Sequence, residues 1–223
     1  MSVRLSGLKT LLSQGKNEKG MRTVLDWLGN NWVEVVAAAV SITYVILTIR
    51  QVIWLWLFGI LSAILYAWVY AHSGFYAGMA LQGYYAAISI YGWLHWSSGK
   101  RGAHIGEDTV KELPVARITR PQIIGVLVSW LVIWLVIAFC LNRFTDSRIP
   151  LQDAFTASGG IVATWMLARK ILEQWIFWII IDLVSVGLYV WQGLYATTVL
   201  FIVYVVMAVF GYREWRKAWK NQR

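Results

Sequence analysis

The 223 residues are 59% hydrophobic and 14% charged, with mean hydropathy +0.58 and net charge +9. A water-soluble domain carries about 25% charged residues, so this composition is that of a chain dissolved in lipid. Six to eight spans of about 20 residues use up the length, which leaves no room for a separate catalytic domain. The basic excess lies between and after apolar blocks, not on a basic helix or finger motif, so it reads as a topology signal rather than a nucleic-acid surface.

In chain order, residues 1–30 are polar and basic, without the apolar core of a cleaved signal peptide. Residues 3–12 have the composition of a short surface helix or of an unstructured tail. Apolar runs then predict spans near 31–49, 52–71, 75–97, 122–142, 152–168, 174–191 and 195–213. The connection 98–121 holds Lys100, Arg101, Glu107, Asp108, Lys111, Glu112, Pro114 and Pro121, which predicts a solvated linker. A second break carries Arg143, Asp146, Arg148 and Pro150. Cys140 is the single cysteine, within an apolar run, so no intrachain disulfide or thiolate metal site is expected. His72 and His104 fall in loops and His95 near a span end, none with a spaced partner for catalysis or metal. Gly74 and Gly78 form one GxxxG, a helix-packing signal. No GxxxxGK[ST] phosphate loop occurs, and no nucleophile–base pair, so neither an ATPase nor a membrane enzyme is expected.

Seven spans put the termini on opposite sides. Seven of the 20 basic residues then fall on the N-terminal side and thirteen on the other, which predicts a cytoplasmic C-terminus.

The third and seventh spans repeat. Tyr91-Gly92-Trp93-Leu94-His95-Trp96 matches Phe210-Gly211-Tyr212-Arg213-Glu214-Trp215, and Gly74-Phe75-Tyr76-Ala77 matches Gly193-Leu194-Tyr195-Ala196 at the same offset. Ser62, Leu65 and Tyr66 match Ser185, Leu188 and Tyr189 at an offset about one helical turn longer. A three-helix unit crosses the membrane an odd number of times, so a direct copy would be inverted, and an extra fourth helix restores parallel orientation. The fold expected is all-α and integral to the membrane, with seven transmembrane helices. Two parallel three-helix repeats are joined by a linker helix, the 3+1+3 plan of SWEET transporters, with a solute site near the midplane where the repeats meet. The corresponding segments are 1–30 (polar), 31–97 (first repeat), 98–142 (loop and linker helix), 143–217 (second repeat) and 218–223 (basic tail).

Two stripes carry candidate chemistry. Trp175, Trp178, Asp182, Ser185 and Tyr189 follow at steps of three and four, within an arc of roughly 80° on the sixth span. Gln82, Tyr85, Ser89, Gly92 and Trp96 repeat that spacing on the third, flanked by Tyr84 and Trp93. Such stripes also serve helix packing. Asp182 is the only acid well inside a span; a carboxylate at the bilayer centre costs about 2.5–3.5 kcal/mol and must face a cavity or a partner. Among the 15 tryptophans, Trp27, Trp32, Trp68, Trp96, Trp191, Trp215 and Trp219 sit where interfacial anchors belong. Trp130 and Trp134 are expected to face lipid or fill space. Trp54, Trp56, Trp93, Trp165, Trp175 and Trp178 are placed to line a pocket, where a flat aromatic cation gains about 2 kcal/mol or more of cation–π attraction once desolvated.

The run Trp165-Met166-Leu167-Ala168-Arg169-Lys170, Glu173-Gln174-Trp175, Trp178, Asp182, Ser185 and Leu188-Tyr189 resembles the PnuC nicotinamide riboside transporters, as do Gly193-Leu194-Tyr195, the Gly211-to-Trp215 ending, and Gln82, Tyr84-Tyr85 and Tyr91-Gly92-Trp93. The resemblance spans roughly residues 30–217 and implies uptake of nicotinamide riboside by facilitated diffusion through the bacterial inner membrane, with trapping by a cytosolic kinase. The pyridinium then suits an aromatic cage and the ribose hydroxyls suit polar side chains. Substrate contacts fall to Trp56, Gln82, Tyr84, Tyr85, Ser89, Trp93, Trp165, Trp175, Trp178, Asp182, Ser185 and Tyr189. Thiamine, another flat cation, is the alternative. No cofactor or metal is expected, and a homo-oligomer is compatible with this plan.

Overall fold

The computed structural model describes residues 32–72, 76–101, 113–145 and 149–222. The polar segment 1–30, His104, Gly74, Asp146 and Arg148 lie outside them. Among the described residues seven helices run in order: α1 (Trp32–Ile49), α2 (Leu55–His72), α3 (Tyr76–Arg101), α4 (Arg120–Phe144), α5 (Pro150–Ala168), α6 (Gln174–Trp191) and α7 (Tyr195–Asn221). Each matches a predicted span to within a few residues, except that α3 and α7 run past their expected ends at 97 and 213. By length and composition, α4, α6 and α7 are each apolar enough to cross a membrane.

The chain separates into two compact units, Met1–Thr43 and Tyr44–Arg223. The described part of the first is the start of α1, where the Thr43 hydroxyl donates to the Ala39 carbonyl at 2.8 Å. Within the second, α2 packs on α3, α6 on α7, and α5 on α4, α6 and α3.

The α1–α2 and α5–α6 breaks are built alike, bond for bond. Gln51 and Lys170 both adopt positive φ, +56° and +51°, a left-handed conformation uncommon outside glycine. Arg50 N–H donates to Ile46 O and Val52 N–H to Leu47 O; Arg169 N–H donates to Trp165 O and Ile171 N–H to Met166 O. The following bonds, from Leu55 to Phe58 and from Gln174 to Phe177, recur at the same offset of 119 residues. That offset also relates Gly92 to Gly211 and Trp96 to Trp215. It sets Ser185 against position 66 rather than Ser62, so the Ser-x-x-Leu-Tyr match is displaced one helical turn from the register of the backbone.

The end of the 98–121 connection is not a solvated linker. Ala116 forms a parallel bridge with Ile171: its N–H donates to Lys170 O at 3.0 Å, and its carbonyl accepts from Leu172 N–H at 2.9 Å. Val115 is buried in the same apolar cluster as the ends of α3, α5 and α7, and its N–H donates to Gln222 Oε1 at 3.0 Å. Glu173 accepts from Arg117 Nε at 2.8 Å and Ile118 N–H at 2.9 Å. That hydrogen bond and the carboxylate's charge raise the Arg117 pKa further above neutrality. Pro114 breaks helix, and the apolar Leu113, Val115 and Ile118 have core to meet, so a charged connection ends in a packed strap.

Trp130 and Trp134 hold α4 on α5. Trp130 Nε1 donates to Ser158 Oγ at 3.1 Å and its ring lies 4.9 Å from that of Phe155. Trp134 Nε1 donates to Leu151 O at 2.8 Å.

Candidate functional site

The candidate residues gather around two adjoining centres, and Tyr84, Tyr85 and Trp178 of the second also pack against the first. The first is a lattice of four buried tryptophans at the end of the bundle where α1 and α5 stop and α2 and α6 begin. Trp56 meets Trp96 edge-on at 5.5 Å, Trp96 lies 6.3 Å from Trp215, and Trp215 meets Trp175 edge-on at 5.8 Å. Glycine makes this possible: a Cβ on Gly92 would come within 2.5 Å of the Trp56 ring, and one on Gly211 within 2.5 Å of the Trp175 ring. Trp96 Nε1 donates to Ala168 O and Trp215 Nε1 to Thr48 O, each at 3.1 Å. Trp96 and Trp215 are therefore buried clasps, not interfacial anchors. Trp56 Nε1 and Trp175 Nε1 have no acceptor among the described residues. Both rings, expected as cage walls, are occupied with helix packing in this conformation.

The second neighbourhood forms where α3, α5 and α6 meet. The Tyr84 hydroxyl donates to Ile161 O at 2.7 Å, anchoring α3 to α5. Tyr84 and Tyr85 pack edge-on, with ring centres 5.5 Å apart. A Cβ on Gly160 would lie 3.7 Å from the Tyr85 hydroxyl and 3.8 Å from the Trp178 ring, so those two side chains converge over a glycine. Asp182 follows Trp178 by four residues, on the same face of α6. It is 6% exposed and has no hydrogen bond or ion pair among the described residues. A carboxylate in so apolar a setting is stabilised by a cation or a hydroxyl beside it.

The remaining candidates scatter. Gln82 is half-buried on α3. The buried Ser185 hydroxyl donates to Ile181 O at 2.9 Å, within its own helix. Ser89 packs α3 on α2, its Oγ 2.6 Å from where a Gly59 Cβ would lie. Trp93 is edge-on to Trp54 at 5.7 Å, and Tyr189 lies 5.0 Å from Phe201. Trp165 is 37% exposed, with the Arg169 guanidinium over its ring at 5.7 Å, so it does not join either group.

Three further residues have functional surroundings that sequence reasoning missed. Gly160 is one, signalled only by the Gly159-Gly160 pair inside an apolar helix. Lys170, counted among loop cations, is 3% exposed; its Nζ donates to Leu113 O at 2.9 Å and stands 4.6 Å above the Trp96 ring. Gln174 is fully buried with both amide atoms unpaired. Nothing in the local sequence marks its burial. Among the described residues no group of three His, Cys, Asp or Glu is placed to hold a metal ion.

Among the described residues, the helical architecture and its long apolar helices are those of a polytopic membrane protein. Residues 31–217 match the family described as nicotinamide mononucleotide transporter, and the chain belongs to that family. It is thus a multi-pass membrane transporter, not an enzyme. It is 24% identical over 213 residues to the nicotinamide riboside transporter PnuC of Escherichia coli K12, covering 83% of this chain and 85% of that one. It is 27% identical over 187 residues to the riboflavin/roseoflavin transporter RibM of Streptomyces davaonensis, covering 82% and 84%. A crystal structure of the vitamin B3 transporter PnuC has a similar fold, with TM-score 0.67 at 24% identity, covering 90% of this chain and 87% of that one.

Proposed function

We propose that this transporter carries nicotinamide riboside by facilitated diffusion across a bacterial inner membrane, its product trapped by a cytosolic kinase. The observation that carries this reading is Asp182, a buried residue one turn from Trp178 with no hydrogen bond or ion pair among the described residues. A pyridinium cation supplies the missing charge, and Trp178, Tyr84 and Tyr85 supply aromatic surface. Gln82 and Ser185 stand on the same two helices as hydrogen-bonding groups for the ribose. The PnuC relatives support the substrate choice.

The equal bonding of the two breaks supports two parallel three-helix repeats, 31–97 and 143–217, with α4 as linker. The basic distribution supports a cytoplasmic C-terminus. RibM favours a second reading, in which the flat ring bound is a flavin. Calorimetry of the purified protein with nicotinamide riboside, thiamine and riboflavin decides between them. Binding of the riboside alone is expected; binding of riboflavin alone contradicts the first reading.

A further inference from the structure

We propose that the crossed pair of tryptophan hydrogen bonds, Trp96 to Ala168 and Trp215 to Thr48, is the closed gate of the transport path at this end of the bundle. Each bond joins the third helix of one half to the first helix of the other: α3 to the end of α5, and α7 to the end of α1. A bond inside one half survives any movement of the halves against each other. These two do not, so they form and break together with that movement. A carrier whose halves alternate in access needs contacts of this kind at whichever end is shut.

Three features suit the pair to opening as well as closing. The acceptors are carbonyls in the last turns of α1 and α5, where water can replace the indole on release; Thr48 O keeps the Gln51 N–H as a second donor at 3.1 Å. The closed lattice leaves Trp56 Nε1 and Trp175 Nε1 buried without acceptors, a cost that wetting of this end removes. Lys170 ties the clasp to the strap: its ammonium bridges the Trp96 ring and the Leu113 carbonyl, so the strap and the gate move as one. The assignment rests on the family's transport function and on the two-repeat reading, not on the identity of the solute.

The test uses the full chain in nanodiscs with Cys140→Ser as background and spin labels on Arg50→Cys and Arg169→Cys, two exposed positions at the two breaks. Distances are measured by pulsed electron resonance without substrate. Trp96→Phe and Trp215→Phe each keep a ring and remove the donor. Each is expected to raise the population at longer distance about five-fold, and the double variant by about the product. An unshifted distribution in the double variant overturns the proposal, as does a lowered melting temperature with unshifted distances, since that marks packing alone. A second arm leaves the tryptophans intact: joining the two cysteines with a short, reducible bifunctional reagent is expected to stop uptake until dithiothreitol is added. Undiminished uptake through cross-linked protein contradicts the gate. A wrong solute abolishes uptake in the uncross-linked protein too and leaves the distances unchanged, so the two failures are separable.

Discussion

At the scale of single residues, chemistry and packing separate along α6. Trp178 reaches Gly160 on α5 and Asp182 lies one turn further along the same face, whereas Trp175 is locked against Gly211 and Trp215. Trp175→Ala is expected to lose about 3–5 kcal/mol of stability, the usual cost of emptying a buried ring, and to show it first in the melting temperature. Trp178→Ala and Asp182→Ala are expected to melt close to the parent and bind the riboside about 1–3 kcal/mol more weakly, by calorimetry. The opposite ranking would move the site to the tryptophan lattice. Gly160→Ala is a finer probe. Its methyl meets the Tyr85 hydroxyl and Trp178 at ordinary contact distance, so the fold is kept while the space between them is filled. Affinity should fall about tenfold without loss of melting temperature; unchanged affinity places the solute elsewhere. Asp182 and Trp178 were legible in the sequence because charge and aromatic spacing are local signals. The packing of Trp56 and Trp175 was not, because an aromatic on a helix looks the same whether its neighbour is a solute or a glycine on the next helix.

At the scale of elements, the helices were readable because lipid demands about 20 apolar residues in a row and the breaks are marked by charge. What spacing alone left open was which of two offsets, 119 or 123 residues, relates the backbones. Ser62-x-x-Leu65-Tyr66 and Ser185-x-x-Leu188-Tyr189 resemble each other in letters, but the backbone bonds of the two breaks set one offset through Trp56 and Trp175, Gly92 and Gly211, Trp96 and Trp215. The strap was misread, since three apolar residues between prolines and charges give no periodicity until a core is there to receive them. The two close glycines make an element-scale prediction: Gly92→Ala and Gly211→Ala each force a ring to shift and should destabilise by about 1–3 kcal/mol in thermal unfolding. Gly187→Ala, which meets open space on α6, should raise or leave the melting point. Equal effects at all three would mean that the ring contacts do not hold the helices.

At the scale of the molecule, one carboxylate deep in the spans suits a carrier that offsets the charge of its solute rather than one that relays protons. The absence of a phosphate loop in the sequence agrees with transport down a gradient. The thirteen basic residues on the C-terminal side predict an orientation: reporter fusions at Arg223 and in the 98–121 connection should both be cytoplasmic, and an external signal from either reverses the topology. The central claim, passive carriage of a cationic nucleoside, is tested most directly in liposomes that hold only this protein. With membrane potential clamped at zero and no ion gradients, labelled nicotinamide riboside should come to equal concentrations inside and out, and Asp182→Ala should slow the approach without changing the end point. Accumulation above equality under an imposed pH or sodium gradient, at the same clamped potential, would contradict the account.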